Sequence, residues 1–256
     1  DKSFRPGREL ATLAHHRILE EDLAGFTDLI VPQIVAHDED HATLSFALLK
    51  GAPMGQHGED SGDWRRFGAA WRNFQKRVKT DSLSYHSHGH EIDVLQALRL
   101  RFEKACGPVP AEWTLCFRAV RECALSLLEA DPVACHRDLH DQQILFDGHS
   151  FGILDWDLMC KADPALDVGN LSAHLLLRAL QSQRADATSV ADSLARHMLE
   201  GMDIRNGEEF LPALRFYQAA TFLRLYLIYW LRPRWRFLCP DLLMYAQQAC
   251  KGLLHV

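Results

Sequence analysis

The stretch from residue 136 to residue 167 constrains the fold of this chain more than any other part of the sequence. Within it, two short apolar runs, residues 144–146 and 151–154, flank the segment Asp147-Gly148-His149-Ser150. An Asp-Gly pair between two apolar runs is typical of a β-hairpin turn. The pattern therefore predicts a hairpin whose loop is residues 147–150.

The register of that hairpin decides which polar side chains meet. With a four-residue loop, Gln143 lies opposite Leu154, and Asp155 follows directly at the open end. The same open end adjoins the preceding loop, which carries Asp138. Three oxygen-bearing side chains from separate places in the sequence are thus expected to converge. Carboxylate and amide oxygens are the ligands that hard divalent cations prefer, so the sequence predicts a divalent-metal site with a base nearby.

The order and spacing of these residues resemble a kinase catalytic loop, in which H-R-D is followed after four residues by Asn and later by a metal-binding Asp. Here His136-Arg137-Asp138 is followed after four residues by Gln143, and Asp155-Trp156-Asp157 stands in the metal-binding position. The HxDLH form, the DWD segment and the later Asp163-Pro164-x-x-Asp167 look more like the aminoglycoside phosphotransferase and choline kinase group than like protein kinases.

The resemblance implies an α+β, protein-kinase-like two-lobe fold. Residues 1–50 would be a small β-rich N-terminal lobe, residues 51–62 a hinge or linker, and residues 63–256 a large, mostly helical C-terminal lobe. The second lobe would carry the catalytic loop 136–143 and the metal-binding segment 155–157. The sequence begins without Met and without the glycine-rich hairpin of the kinase pattern, so a truncated N-terminal lobe is expected.

Within the N-terminal lobe, a strand end is expected near Lys2, followed by a helix from about residue 8 to residue 23. Two apolar runs, residues 29–36 and 42–49, are separated by charged residues and predict a hairpin. The resemblance makes Lys2 the lysine that holds the nucleotide phosphates.

In the kinase pattern this lysine pairs with a glutamate on the helix that follows. The sequence leaves that partner open. Glu9, Glu20 and Glu21 are candidates on the predicted helix, whereas the position that alignment suggests lies near His16.

Apolar residues at helical spacing fill most of the remaining chain. They predict a helix beginning at an Asp63 N-cap and further helices at about 91–106, 112–130, 165–182, 186–202, 207–231 and 240–254.

The resemblance gives each candidate site residue a role. Asp138 would orient the acceptor hydroxyl, and Gln143 and Asp155 would bind Mg²⁺. Lys2 would hold the phosphates of ATP. The implied function is an ATP- and Mg²⁺-dependent phosphotransferase that moves the γ-phosphate to a hydroxyl of a small molecule of aminoglycoside, choline, sugar or amino-alcohol type.

Two alternatives stay open. The Gln143 side chain in the place of Asn favours a catalytically weak or inactive kinase-fold binding protein. The histidine-rich run of residues 85–91 resembles part of a zinc-hydrolase motif, although it lacks the Asp-His ending and is also typical of a polar loop before a helix.

Composition excludes several other classes. The net charge of −6 over 256 residues does not suit a nucleic-acid-binding protein. The apolar stretch 219–231 is interrupted by Arg224 and is too short to span a bilayer, so no membrane partner is expected. Seven scattered cysteines without CxxC spacing indicate reduced thiols and a cytoplasmic protein. The resemblance implies that its partners are a nucleotide and a small-molecule hydroxyl substrate.

Overall fold

The structure is a computed structural model that describes residues 1–56, 61–128, 130–204 and 210–251. The chain forms two compact units. The first comprises Asp1–Ser84, Val133–Lys161 and Ser193–Arg205, and contains two small sheets. The second comprises Tyr85–Pro132, Ala162–Asp192 and Asn206–Val256 and is mostly helical. This distribution of helices and strands matches the predicted α+β class. The predicted lobe boundaries stay a prediction, and residues 57–60 of the predicted linker lie outside the described residues.

The secondary structure alternates between short strands and longer helices. The strands are β1 (Lys2–Ser3), β2 (Leu29–Ile30), β3 (Ile34–Asp38), β4 (Thr43–Phe46), β5 (Ala52–Pro53), β6 (Tyr85–His86), β7 (Val133–Cys135), β8 (Ile144–Phe146), β9 (Phe151–Ile153) and β10 (Cys160–Ala162). The helices are α1 (Glu9–Asp22), α2 (Ser61–Arg77), α3 (His88–Cys106), α4 (Ala111–Ser126), α5 (Ala165–Gln181), α6 (Ala187–Gly201), α7 (Phe210–Trp230) and α8 (Cys239–Lys251).

One sheet of the first unit contains β1, β4 and β3 in that order, all antiparallel. The predicted hairpin of residues 29–36 and 42–49 is confirmed for its central part, where β3 pairs with β4. Its first two residues behave differently, because Leu29 and Ile30 form β2 and join the other sheet. Pro32 lies between β2 and β3 and has no N–H to continue a ladder, which explains the break in the predicted strand.

The other sheet orders its strands β2, β9, β8 and β5. β8 and β9 form the predicted hairpin, with Phe146 paired to Phe151 across the loop. The Leu154 N–H donates to the Gln143 carbonyl over 3.0 Å, so the predicted register is confirmed. The Asp147 carboxylate accepts the N–H groups of His149 and Ser150 at 2.9 and 2.8 Å and closes the turn.

Helix α2 covers this hairpin with an aromatic face. Phe67 contacts Phe151 edge-on, and Trp71 stacks on Trp156 with ring centroids 6.3 Å apart. Phe74 also packs on Trp156, and all these rings are almost fully buried. Burial of such large apolar surfaces is the main stabilising term in a core, so α2 fixes the position of the segment after β9.

The second unit is built around α7, which is buried along most of its length. Helix α5 approaches it closely, because a Cβ atom on Gly169 would lie 2.6 Å from the Cβ of Tyr217. The Trp113 indole N–H on α4 donates to the Leu223 carbonyl over 3.2 Å. Glycine at position 169 therefore permits a helix contact that any larger residue would block.

Several predicted helix ends were wrong by a few residues. Asp63 lies inside the first turn of α2, which begins at Ser61. Helix α3 begins three residues earlier than predicted, at His88, because Ser87 and His90 form a capping box. Helix α4 ends at Ser126 rather than near residue 130.

The described part of the chain contains no helix whose length and hydropathy would allow it to cross a membrane. All seven cysteines have free thiols.

Candidate active site

The Lys2 ammonium bridges the two carboxylates of the Asp155-Trp156-Asp157 segment. Its Nζ atom lies 2.6 Å from Asp155 Oδ1 and 2.6 Å from Asp157 Oδ2. Burial lowers the pKa of Lys2, but the hydrogen bonds and charges of the two carboxylates outweigh it and raise the pKa above its ordinary value. The structure thus brings together Lys2 and Asp155, which are 153 positions apart in sequence.

Helix α1 also holds this segment, through two side-chain hydrogen bonds. The Thr12 hydroxyl donates to Asp157 Oδ1 over 3.2 Å. The His15 ring donates from Nδ1 to the Trp156 carbonyl over 2.9 Å. Burial lowers the pKa of His15, and the bond to Trp156 and the charge of Asp157 offset that only in part, so the ring favours its neutral form.

The Trp156 side chain anchors the segment while its two acidic neighbours stay accessible. The indole is fully buried, and its N–H donates to the Ile153 carbonyl over 3.0 Å. Asp155 has a left-handed backbone, with φ 65° and ψ 61°, which Asp tolerates better than most residues. The turn places Asp155 at the end of β9 with its side chain 43 % exposed.

His136 links the loop of Asp138 to the end of β9. Its Nε2 atom donates to the Leu154 carbonyl over 2.7 Å. Complete burial lowers the pKa of His136, and the charges of Asp138 and Asp155 both oppose that shift. The Asp138 N–H donates to the other ring nitrogen, Nδ1, over 3.3 Å, so one imidazole contacts both the backbone of Asp138 and the residue that precedes Asp155.

Gln143 contributes a buried amide to that region. The residue is 8 % exposed, and its side-chain oxygen has no hydrogen-bond partner among the described residues. A buried polar atom without a partner costs roughly 1–3 kcal/mol, and the Gln143 oxygen is one of several such atoms among the described residues, another being the Trp71 indole nitrogen. With the Asp155 carboxylate one residue beyond its hairpin partner, the oxygen donors fit a Mg²⁺ ion.

The helix partner of Lys2 is absent from this arrangement. Among the described residues, neither Glu9, Glu20 nor Glu21 forms an ion pair with Lys2. His16 is 2 % exposed and packs on Phe46. Burial, the neighbouring His15 and the charge of Lys2 lower the pKa of His16 to about 4, so its ring is neutral near pH 7.

Sequence reasoning gave no separate role to three residues that shape this site. Thr12 and His15 lie on α1 in a part of the sequence without a motif, and Asp157 was named only as part of the predicted segment 155–157. The i, i+3 spacing of Thr12 and His15 places both on one helix face and is the signal that could have pointed to them.

The histidine-rich run of residues 85–91 has other partners in the second unit. His86 Nε2 lies 2.9 Å from Glu91 Oε2, and His88 Nε2 lies 3.4 Å from Asp163 Oδ2. His90 is part of the cap of α3. Over residues 1–56, 61–128, 130–204 and 210–251, no group of three or more His, Cys, Asp and Glu side chains could hold a metal ion.

Comparison with known proteins gives one family. A family model described as the phosphotransferase enzyme family matches residues 3–203. No curated protein sequence matches the chain.

Solved structures give the fold. A choline/ethanolamine kinase family protein from Mesorhizobium loti is 20% identical with a TM-score of 0.61, covering 100% of this chain and 80% of that one. A spectinomycin phosphotransferase in complex with ADP and spectinomycin is 13% identical with a TM-score of 0.60, covering 99% and 84%. An amicoumacin kinase in complex with AMP-PNP, Ca²⁺ and Ami is 14% identical with a TM-score of 0.65, covering 97% and 78%. These likenesses show a kinase-like fold.

Proposed function

Because the chain belongs to the phosphotransferase enzyme family, we propose that it uses Mg²⁺ and ATP to transfer the γ-phosphate to a hydroxyl group of a small molecule. The observation that carries the proposal is the ion pair between Lys2 Nζ and Asp155 Oδ1, which are 2.6 Å apart. In kinase-type phosphoryl transfer a lysine and a metal ion neutralise the triphosphate, and a carboxylate beside the lysine holds the metal ion.

Each side chain then has a task in the transfer. Lys2 turns from Asp155 to the phosphate oxygens when the nucleotide binds. Asp155 and the buried Gln143 oxygen would hold Mg²⁺, which supplies positive charge to the phosphate oxygens as they develop negative charge. Phosphoryl transfer depends mostly on positioning and charge neutralisation, so this small set of groups suffices.

Asp138 accepts the hydrogen bond of the acceptor hydroxyl and orients it for in-line attack on the γ-phosphate. It takes the proton as the new O–P bond forms and the bond to the β-phosphate bridge oxygen breaks, leaving ADP. His136 links this loop to the end of β9, because its two ring nitrogens bond the Leu154 carbonyl and the Asp138 N–H.

The acceptor is expected to be an aminoglycoside, choline, sugar or amino alcohol. The similarity to a spectinomycin phosphotransferase in complex with ADP and spectinomycin supports spectinomycin and aminoglycosides as the first compounds to test. The similarity to a choline/ethanolamine kinase family protein supports amino alcohols as the second class.

A second candidate is a kinase-fold protein that binds nucleotide without turnover. The observation that favours it is Gln143, whose side chain is one methylene longer than the Asn of the kinase pattern. Binding and turnover must therefore be measured separately.

The decisive experiment measures ADP formation from ATP and Mg²⁺ with a panel of aminoglycosides, amino alcohols and sugars. We expect turnover with one class, and a loss of at least about 100-fold in kcat for Asp138→Asn with the KM for ATP unchanged. Nucleotide binding without turnover on any acceptor would favour the second candidate. Absence of nucleotide binding to the folded protein would contradict both.

A further inference from the structure

The Lys2 ammonium contacts two carboxylates, and the proposed metal site accounts for only one of them. Asp155 is the proposed metal ligand, yet Asp157 lies equally close, at 2.6 Å. In the kinase pattern the second carboxylate near this lysine is a helix glutamate that positions it. Among the described residues, α1 offers no glutamate paired with Lys2.

We infer that Asp157 is the positioning residue for Lys2: its carboxylate fills the place of the missing helix glutamate and directs the ammonium toward the nucleotide phosphates. This inference rests on the proposed function and deepens it, because it assigns a role within the nucleotide site to a residue outside the kinase motif pattern.

The two carboxylates differ in how firmly they are held. Asp157 accepts the Thr12 hydroxyl over 3.2 Å, and Thr12 is 1 % exposed within α1. The Asp157 side chain is 27 % exposed, whereas that of Asp155 is 43 % exposed. A tethered, more buried carboxylate suits a fixed ion-pair partner, and a more open one suits an ion that keeps water and phosphate ligands.

The bond from Thr12 also connects Asp157 to α1, the helix that carries the lysine-pairing glutamate in the kinase pattern. Thr12 and His15 lie on one face of α1, and they bind the Asp157 carboxylate and the Trp156 carbonyl. Helix α1 therefore acts on Lys2 through the 155–157 segment rather than through a carboxylate of its own. His16, close to Lys2, is buried and neutral and cannot take that role.

The two roles predict different responses to metal removal. We would measure ADP affinity by calorimetry, once in EDTA and once in excess Mg²⁺, for the whole chain and its variants. The ADP affinity in EDTA reports how well Lys2 binds the phosphates when no metal ion is present. The ratio of the two values reports the metal contribution alone.

For Asp157→Asn we expect ADP affinity in EDTA to fall about tenfold, since Lys2 is then drawn to Asp155 alone, with the gain on adding Mg²⁺ retained. For Asp155→Asn we expect the reverse: an affinity in EDTA equal to or above that of the wild type, and no gain with Mg²⁺. Asp157→Glu keeps the carboxylate and should stay within about threefold of the wild type.

Thr12→Val keeps Asp157 but removes its tether, and should lower ADP affinity in EDTA about threefold. The matched control is Thr43→Val, whose hydroxyl bonds Ser3 and the His41 carbonyl instead, and which should leave the affinity unchanged. Thr12→Val and Asp157→Glu also decide the question if Asp157→Asn fails to fold, as judged by thermal unfolding.

Two outcomes would overturn the inference. One is that Mg²⁺ no longer increases the ADP affinity of Asp157→Asn, which would show that Asp157 is a metal ligand. The other is an affinity in EDTA that is unchanged or higher in folded Asp157→Asn. Failure of the wild type to bind ADP in either buffer would instead contradict the proposed function, so the two failures are distinguishable.

Discussion

The Nδ1 atom of His15 lies 2.9 Å from the carbonyl oxygen of Trp156 and ties helix α1 to the acidic segment of the site. The residues are 141 positions apart in sequence, so this bond forms only when α1 packs against the segment that follows β9. The bond requires a proton on Nδ1, and because burial lowers the pKa of His15, the ring that donates it is in its neutral form near pH 7. A single side chain thus orients the peptide group between the two carboxylates that contact Lys2.

Replacing His15 with Phe should loosen this connection. The substitution keeps a ring of similar size but leaves the Trp156 carbonyl without its donor, and we expect about 1–2 kcal/mol less free energy of unfolding. Chemical denaturation of the wild type and of His15→Phe measures the loss. The control is His41→Phe in the exposed turn of the β3–β4 hairpin, where a change below about 0.5 kcal/mol is expected. Equal effects of the two substitutions would contradict a structural role for the His15 bond.

Acid should destabilise the protein through His16. Its pKa is about 4 in the folded chain, below the ordinary 6.5, because burial disfavours the charged ring. The unfolded chain then binds more protons than the folded chain between pH 6.5 and pH 4. The free energy of unfolding contributed by the neutral ring is therefore fully present above pH 6.5 and is lost as the pH falls to about 4.

The expected loss from His16 is about 3 kcal/mol over that window. His16→Gln retains a side-chain N–H donor but cannot be protonated, so its unfolding free energy should fall less than that of the wild type between pH 7 and pH 4. Denaturation curves at several pH values for both proteins test this. Parallel pH profiles would show that His16 is not the group that takes up the proton.

The sequence predicted the hairpin register because the Asp-Gly turn indicated the loop length. With residues 147–150 as the loop, the pairing of the two flanking apolar runs follows directly. Hence Gln143 lies opposite Leu154 as predicted. The roles of Asp138, Gln143, Asp155 and Lys2 stay predictions, since position alone does not test chemistry.

The links between α1 and the site could not be predicted from sequence in the same way. Thr12 and His15 are ordinary helix residues, and their bonds to Asp157 and Trp156 depend on tertiary packing across more than 140 positions. The separation of β2 from β3 was likewise missed, because periodicity treats Leu29 and Ile34 as one apolar run. Pro32 was the available signal for that break.

Two glycines with positive φ should respond differently to substitution by alanine. Gly51 has φ +106°, and a Cβ atom there would lie 2.6 Å from the Phe146 carbonyl oxygen, which is backbone and cannot move aside. Gly148, in the β8–β9 turn, has φ +94° but no atom within 4 Å of its would-be Cβ. Gly148→Ala should therefore cost about 1–2 kcal/mol from backbone strain alone.

Gly51→Ala adds the steric clash to the same strain and should cost more than about 3 kcal/mol. Thermal and urea unfolding of the two variants measures the difference. A cost for Gly51→Ala no larger than that for Gly148→Ala would show that β5 can shift away from β8 without penalty.

Gln143 should contribute to metal binding at the expense of stability. Its buried side-chain oxygen has no hydrogen-bond partner among the described residues, so Gln143→Leu removes an unsatisfied acceptor while keeping most of the side-chain volume. We expect the metal-free protein to gain about 1 kcal/mol in free energy of unfolding. The stabilisation that Mg²⁺ and ADP together give to the wild type should shrink in the same variant, because one oxygen ligand is lost.

Unfolding of the wild type, Gln143→Leu and Gln143→Asn in EDTA and in Mg²⁺ with ADP tests both effects. Gln143→Asn keeps the amide oxygen on a shorter side chain and matches the residue of the kinase pattern, so its Mg²⁺ response should equal or exceed that of the wild type. If Gln143→Leu retained the full Mg²⁺ response, the amide would not be a ligand. The burial of Gln143 would then serve only packing at the end of the hairpin. Asp155 would bind the metal ion together with phosphate and water oxygens.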